Sequence, residues 1–369
     1  MTINNNIFNT NKTEEQYRQT GLLLSSQPGL FDTIHKKHKK IWDLYKEMKS
    51  LDWDENEFDY SQCSIDFKSC PKDVADMMIR TLAWQWEADS VASRSIITVL
   101  APFISSSELW ACWQRISDNE VVHAATYSEI VRMSFDNPNE VLSNILSVKE
   151  SLSRLETVGK VFADAYEASH KYSLGLVEND QELYNKVFLT VATLLMLERV
   201  QFMASFAITF TVCGSGPFQP IGKAVQKIAQ DELEIHAELD KEVLTIEQKT
   251  ERGKLARTTL DDKLHEIFNE VIESEFKWID YLFSDGRTLV GATPDLLKQW
   301  VLFNAKDVAH FLNLKNIEHR FPKHNPMPSM EKWLNMNKLQ AAPQEQDLAA
   351  YKVGTIVYND EGVKFNVDF

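Results

Sequence analysis

The sequence predicts an all-α protein, and three observations support this fold class. Apolar residues recur at helical spacing over long stretches. These stretches are much longer than the average globular helix of about 12 residues, and such long helices are typical of a large helical bundle. No run of alternating apolar and polar residues predicts a strand. No repeat unit divides the chain. The helical stretches cover approximately residues 72–100, 106–134, 139–175, 180–212, 218–248, 259–285 and 294–320.

The two ends of the chain differ from this helical body. Residues 1–30 form a polar N-terminal segment that ends in the turn signal Gln27-Pro28-Gly29, and helical periodicity extends from Phe31 to Lys49. A polar and aromatic stretch at 50–71 follows. Periodicity is lost again near the C-terminus. We therefore predict a helical domain at 31–335 and a flexible C-terminal tail at 336–369.

Residues typical of helix caps and helix breaks occur at several of the predicted helix ends. Ser105 and Glu108 have the spacing of a capping box before the 106–134 helix. Thr293 precedes Pro294, as expected for an N-cap followed by a first-turn proline. The segment 214–217, Gly-Ser-Gly-Pro, separates two helices.

Composition limits the possible functions. The formal charge is −15 and the sequence pI is about 5.1, so nucleic-acid binding is not expected, because an acidic surface repels phosphates. The polar N-terminus lacks the pattern of a signal peptide. The 4 cysteines have no CxxC spacing, which favours reduced thiols and a cytoplasmic location.

One apolar segment, 187–213, could be mistaken for a membrane span. Glu198 and Arg199 interrupt it near the middle. Charges at mid-span cost about 2.5–3.5 kcal/mol each on insertion scales. We therefore predict a buried bundle helix with a polar insertion, and no membrane association.

Two short motifs predict a metal site. Glu120 and His123 are three residues apart, and Tyr127 lies one turn further on the same helix face. Glu232 and His236 are four apart and also share a face. Single acids occur on two other apolar helices, at Asp89 and Glu198. Two carboxylate–histidine pairs with single acids on two further helices form the ligand set of a two-metal site in a four-helix bundle.

The charges explain why metals are expected. Isolated ionised carboxylates in a core are very costly, and two divalent ions would neutralise four of them. Oxygen ligands with two imidazoles and no thiolate favour iron or manganese. Taken singly, Glu198 could pair with Arg199 or Arg94, Asp89 could be a capping or ion-paired residue, and Tyr127 could be an ordinary core tyrosine.

The chain resembles the small, radical-generating subunit of class I ribonucleotide reductase, of the bacterial and phage type. The resemblance spans about Trp53 to the C-terminus. It rests on the motifs already quoted and on four further stretches: Asp-Ser-Val-Ala-Ser-Arg-Ser at 89–95, Leu-Glu-Arg-Val-Gln-Phe at 197–202, Ile-Ala-Gln-Asp-Glu at 228–232 and Tyr-Lys-Val-Gly at 351–354. It implies a ferritin-like di-metal carboxylate bundle with extra helices.

The resemblance also implies a role for each site residue. Asp89, Glu120 and His123 would bind one metal ion. Glu198, Glu232 and His236 would bind mainly the second. Tyr127 would hold a stable tyrosyl radical, generated by an oxygen-dependent di-iron-oxo centre of two iron ions, with manganese or a mixed pair as further possibilities. Trp53, Asp231 and the tail residue Tyr351 would form the electron-transfer route, and Phe202, Phe206 and Ile228 the apolar pocket around the radical.

The implied partners are a large catalytic subunit, bound through the C-terminal tail, and a second copy of this chain in a homodimer. The large subunit would reduce ribonucleotides to deoxyribonucleotides for DNA synthesis, so the small subunit would be active only with it. The alternatives are a di-iron oxygenase or desaturase, or an iron-storage protein or ferroxidase, of the same fold.

One departure from the family pattern concerns the last ligand pair. The family has Glu-x-x-His there, whereas Glu232 and His236 are separated by three residues. Either the helix carries a one-residue π-bulge at this point, or one of the two assignments is wrong. Glu234 and Glu238 are the nearby acids that could substitute.

Overall fold

The computed structural model describes residues 13–26, 30–315 and 317–335. In this part of the chain the structure is helical, and β-structure is limited to the isolated bridges Leu23↔Ile104 and Leu289↔Ala292. The predicted tail with Tyr351 and the turn signal at 27–29 lie outside the described residues. The division at residues 30 and 335 stays a prediction, although Leu22, Leu23 and Leu24 already pack into the core of the helical body.

The predicted all-α fold is confirmed, and two of its helices contain a π-helical turn. The first π-turn is Leu197–Gln201 and the second is Asp231–His236. The α-helices of the described residues are α1 Glu14–Gln19, α2 Lys39–Ser50, α3 Cys63–Ser69, α4 Lys72–Leu100, α5 Ser107–Ser134, α6 Pro138–Leu146, α7 Lys149–Arg154, α8 Glu156–Ser173, α9 Gln181–Met196, α10 Met203–Gly214, α11 Gln219–Gln230, α12 Ala237–Glu247, α13 Glu251–Thr259, α14 Asp261–Leu282, α15 Pro294–Phe311 and α16 Glu331–Leu334.

The core of the bundle is formed by long helices that pack side by side. α4 packs along α5, and the two π-turns contact each other. α14 and α15 pack against the first π-turn from the other side. The interior is filled by large aromatic side chains, including Trp84, Trp113 and Phe206. This arrangement places the middle of four helical segments next to one another inside the protein.

The apolar segment at the centre of the chain is a core helix, as predicted. Gln181–Gly214 is long and apolar enough to cross a membrane, but 89% of its most apolar window is buried inside the protein. Arg199 lies 3.7 Å from Asp307 and Arg94 is exposed. In the described part of the chain, the buried Glu198 therefore pairs with neither Arg199 nor Arg94, and that alternative is wrong.

The helix predicted from Phe31 begins only at Lys39. Asp32 accepts hydrogen bonds from the backbone N–H groups of Ile34 and His35. Such local side-chain bonds compete with the helix ladder. Lys36 has a φ of 26°, which also interrupts helical geometry.

Other predicted boundaries also shift. The N-cap of α5 is Ser106 rather than Ser105, since its hydroxyl accepts from the backbone N–H of Leu109. The cap at Thr293 is confirmed by a bond from Leu296 N–H. The stretch predicted at 294–320 ends at Phe311, and α3 and α13 were not predicted as separate helices.

The single helix predicted at 139–175 is divided into α6, α7 and α8. The break after α7 brings Arg154 into the core, where the Arg154 Nε donates to Glu275 Oε1 at 2.9 Å. The guanidinium lies 3.6 Å from the centre of the Trp84 ring. It also donates to the Gln201 carbonyl at 2.5 Å, and Gln201 Nε2 donates back to the Arg154 carbonyl at 2.8 Å. Arg154 therefore fastens α7 to the first π-turn.

Replacing Arg154 by Met is expected to destabilise the metal-free protein strongly. Removing one partner of a buried ion pair typically costs about 3–5 kcal/mol, because the other charge remains buried without compensation. Burial raises the pKa of Glu275 to about 7, and Arg154 opposes that rise. Without Arg154 the folded-state pKa lies still further above the unfolded value, so the loss of stability should grow as the pH rises. Urea unfolding followed by circular dichroism measures the effect.

The matched control is Lys160→Ala, which removes an exposed i,i+4 ion pair with Glu156 and should leave the urea midpoint unchanged. The double variant Arg154→Met/Glu275→Met should recover much of the lost stability. A single variant as stable as the wild type would contradict the importance of the buried pair.

Candidate metal centre

The six residues predicted as metal ligands converge in the interior. Each is at most 1% exposed. α4 supplies an aspartate, α5 a glutamate and a histidine, the first π-turn a glutamate, and the second π-turn a glutamate and a histidine. Two groups of four have potential ligand atoms within 4.8 Å of one another: Asp89, Glu120, His123 and Glu232, and Glu120, Glu198, Glu232 and His236. Glu120 and Glu232 belong to both groups, so these two carboxylates lie between the residues of the two candidate metal positions.

The two histidines present the same nitrogen to this cluster. His123 Nδ1 lies 3.1 Å from Glu232 Oε1 and 3.5 Å from Glu120 Oε2. His236 Nδ1 lies 2.9 Å from Glu232 Oε2 and 3.4 Å from Glu120 Oε1. The rings are nearly parallel, with an interplanar angle of 25° and centroids 5.9 Å apart. Both Nε2 atoms point to partners outside the cluster.

The second π-turn explains the four-residue spacing of the last pair. It begins at Asp231 and ends at His236, so the extra residue lies between Glu232 and His236. The first alternative, a π-helical insertion, is therefore confirmed. Glu234 is exposed, and Glu238 forms an ion pair with Lys241 at 2.7 Å. Neither acid takes the position of Glu232.

The cluster contains more carboxylate oxygens than the hydrogen-bond donors around it can satisfy. Both oxygens of Asp89 and one oxygen of each of the three glutamates are buried without a hydrogen-bond partner, and so is His123 Nδ1. Burial raises the pKa of Asp89 and that of Glu198 well above their usual values, and neighbouring carboxylates add to both shifts. Orphaned buried acceptors of this kind need cations or protons. The donor set fits two iron or manganese ions.

Tyr127 lies one turn beyond His123 on α5 and is fully buried. Its hydroxyl has no hydrogen-bond partner in the described part of the chain. Burial, followed by the charges of Asp89 and Glu232, raises the pKa of Tyr127 well above its usual value. A phenol in this environment stays protonated at neutral pH.

The three residues predicted to form the apolar pocket, Phe202, Phe206 and Ile228, are at most 2% exposed and belong to the same core cluster as Tyr127. The Phe202 and Phe206 rings are stacked with centroids 5.5 Å apart. That these three residues surround Tyr127 stays a prediction.

Trp53, Asp231 and His123 form a continuous hydrogen-bonded chain. Trp53 Nε1 donates to Asp231 Oδ2 at 2.8 Å. The same oxygen lies 3.0 Å from His123 Nε2. The Trp53 and His123 rings are stacked with centroids 5.9 Å apart. Because Trp53 is only partly buried, this chain runs from the metal cluster toward the protein surface.

Two polar residues at the site were not found from the sequence. Asn119 contacts both Asp231 and His236. Asp240 is 1% exposed, and burial raises its pKa well above the usual value, opposed by the charge of His236 and by the Trp113 indole. Asp240 follows His236 by four residues, and this helical spacing was the signal available in the sequence. Asn119 precedes Glu120 and has no comparable signal.

The fold and the site together define a ferritin-like helical protein with a buried carboxylate and histidine di-metal centre. The comparison with known families then gives the more specific assignment. The model of the family "Ribonucleotide reductase, small chain" matches residues 30–326. The chain belongs to this family.

Individual relatives agree with the assignment. The chain is similar to the ribonucleoside-diphosphate reductase subunit beta of Buchnera aphidicola, with 29% identity over 335 residues, covering 87% of this chain and 88% of the relative. The structure is similar to a ribonucleotide reductase R2 subunit from Clostridium botulinum, with a TM-score of 0.76, 16% identity and coverage of 89% and 97%. It is also similar to the dimanganese(II)-NrdF of Streptococcus sanguinis, with a TM-score of 0.65, 13% identity and coverage of 83% and 99%.

Proposed function

We propose that this chain generates a stable tyrosyl radical at Tyr127 and supplies it to a large subunit that reduces ribonucleoside diphosphates. The observation that carries the proposal is the position of Tyr127, a fully buried phenol with a raised pKa on the same helix as two residues of the metal cluster. The names of the relatives support the substrate class. When bound, the metal pair would supply the oxidising power, drawn from dioxygen, that removes one electron from a phenol.

The protein would contribute ligation and proton handling. Asp89, Glu120 and His123 would hold one ion. Glu198, Glu232 and His236 would hold the second, with Glu120 and Glu232 placed to reach both. When Tyr127 loses an electron it must also lose its phenolic proton. We propose Asp89 as the acceptor, since of the neighbouring charges that of Asp89 raises the pKa of Tyr127 most, and both Asp89 oxygens lack hydrogen-bond partners in the described part of the chain.

The apolar neighbours would then protect the radical. Phe202, Phe206 and Ile228 have no polar side-chain atoms and are buried. They would exclude water and small reductants from the phenoxyl oxygen, as a dry pocket prevents side reactions in other enzymes.

Transfer to the large subunit would use the hydrogen-bonded chain through Asp231 to Trp53, and then Tyr351 in the tail. We propose that the tail docks on the large subunit and that the small subunit forms a homodimer in the cytoplasm. Exposed apolar side chains on α4 and α5, at Val91, Trp110 and Val121, support an interface with another protein chain.

The experiment that tests the proposal adds ferrous iron to the metal-free protein without oxygen and then admits oxygen. We expect two iron ions per chain, an organic radical in the electron paramagnetic resonance spectrum, and deoxyribonucleotide formation once the large subunit is added. Oxidised iron without a radical would favour an oxygenase or ferroxidase. In that case the same protocol is repeated with manganese. A radical formed with manganese would show that the protein requires a different metal, and absence of a radical with both metals would refute the proposal.

Tyr351→Phe is expected to leave metal loading and the Tyr127 radical intact while turnover with the large subunit falls to background. The reason is that a phenylalanine at this position cannot be oxidised and reduced as a phenol can. The control is Tyr358→Phe, which changes the other tyrosine of the tail and should retain turnover. Full turnover by the Tyr351 variant would remove this residue from the route.

A further inference from the structure

Asn119 connects two parts of the centre that the family resemblance treats separately. Its Nδ2 lies 3.2 Å from Asp231 Oδ2, the carboxylate oxygen that also contacts Trp53 and His123. Its Oδ1 lies 3.0 Å from His236 Nε2. One amide side chain thus links the proposed electron-transfer route with the histidine of the second metal position.

The chemistry of these partners fixes the orientation of the amide. Asp231 Oδ2 already accepts from the Trp53 indole, which can only donate. Because this oxygen acts as an acceptor, the amide NH₂ faces Asp231 and the amide oxygen faces His236. His236 Nε2 must then carry a proton and donate to Asn119.

This arrangement determines which nitrogen of His236 can bind a metal ion. With the proton held at Nε2, the lone pair is at Nδ1, which faces Glu232 and Glu120. His123 is held in the same way, with Nε2 toward Asp231 and Nδ1 toward the cluster. A metal-ligating histidine commonly needs such an outer hydrogen bond to set its tautomer and its ring direction.

His236 ends the second π-turn, where the backbone hydrogen bonding changes: the N–H of Ala237 bonds the carbonyl of Glu232, five residues back. Asn119 lies on α5, a regular helix, next to Glu120. It therefore anchors the inserted turn to the helix that supplies the other half of the cluster.

We propose that Asn119 is a positioning residue that fixes the tautomer and the ring direction of His236 for the second metal ion. Through the same amide, His236 is linked by hydrogen bonds to the Asp231 oxygen that also contacts Trp53 and His123. This inference rests on the proposed di-metal function. It predicts that removing the amide weakens one metal site selectively, whereas a merely structural amide would affect stability or both sites alike.

The test measures stepwise Mn²⁺ binding to the full-length, metal-free protein, with free Mn²⁺ followed by electron paramagnetic resonance. Asn119→Leu keeps a similar volume but loses both hydrogen bonds. We expect one of the two Mn²⁺ binding steps to weaken about 10–100-fold, as is typical when an outer partner of a ligand is removed, and the other step to be unchanged. Asn119→Ala provides the same comparison if the Leu variant does not fold.

Asn119→Asp tests the acceptor oxygen and the donor NH₂ of the amide separately. It retains an acceptor for His236 Nε2, so the Mn²⁺ binding step that weakens with Leu should recover most of that loss. It also places a second carboxylate against Asp231, so the indole N–H resonance of Trp53 should shift in the proton NMR spectrum. The matched control is Asn304→Leu, which removes a comparable half-buried amide that bonds only a helix carbonyl on α15. Neither binding step should change there.

The outcomes distinguish the two proposals. A wild type that binds fewer than two Mn²⁺ ions per chain would contradict the di-metal function itself. A wild type with two ions, together with a Leu variant whose two steps are both unchanged or weaken equally, would overturn the role of Asn119 alone.

Discussion

Tyr127→Phe is expected to bind two metal ions and to form no stable radical. The substitution removes only the hydroxyl, which makes no hydrogen bond in the described part of the chain. The phenyl ring can keep the packing of a side chain that is fully buried. The fold and the metal cluster should therefore survive, while the oxidisable group is lost. Metal analysis and electron paramagnetic resonance after oxygen exposure measure the two properties on one sample.

Tyr60→Phe is the matched control for this experiment. Tyr60 is also fully buried with an unpartnered hydroxyl, and its charge contributes to the raised pKa of Tyr127, so it lies in the same region. The radical should persist in this control. A persistent signal in the Tyr127 variant would show that another tyrosine holds the radical, and its loss on adding Tyr60→Phe would identify Tyr60.

The second large effect is expected for Trp53→Phe, which should retain two metal ions while turnover with the large subunit falls to background. The substitution removes the indole N–H that donates to Asp231 at 2.8 Å. It also replaces an easily oxidised ring with one that is much harder to oxidise. The Trp53 indole donates to Asp231, which is not one of the six cluster residues, so metal stoichiometry should not change.

Radical yield and turnover must be measured together to interpret this variant. A purely structural effect would lower metal content or radical yield, whereas loss of the route lowers turnover alone. Trp42→Phe changes a partly buried tryptophan that packs against Tyr45 with the rings tilted by 32°, and it should preserve turnover. Unimpaired turnover by Trp53→Phe would exclude this tryptophan from the route.

The sequence was sufficient to find the six cluster residues because each lies on a helix, and helical spacing fixes which side chains share a face. Asp89 and Glu198 were recognisable because a charge in an apolar helix stands out. The π-turn was foreseen only as one of two explanations for the spacing of Glu232 and His236. The structure decided between them because only backbone geometry distinguishes an insertion from a wrong assignment.

Long-range partners explain what the sequence could not reveal. From the sequence alone, Arg154 looks like an ordinary solvent-exposed charge on a helix, because its partner Glu275 is 121 residues away. Asn119 is separated from Asp231 by 112 residues and from His236 by 117. Neither pairing leaves a local pattern. The late start of α2 has a local cause, the Asp32 turn, but periodicity alone does not register it.

The second π-turn has an evolutionary consequence. One residue added to a regular helix would rotate everything after it by about 100°, since the helix has 3.6 residues per turn. Here the wider turn absorbs the added residue within Asp231–His236, and α12 continues with Leu239, Val243 and Leu244 still buried. A one-residue insertion or deletion between the two ligands is therefore a tolerable step between lineages. Searches that demand Glu-x-x-His at this point would overlook chains that have taken it.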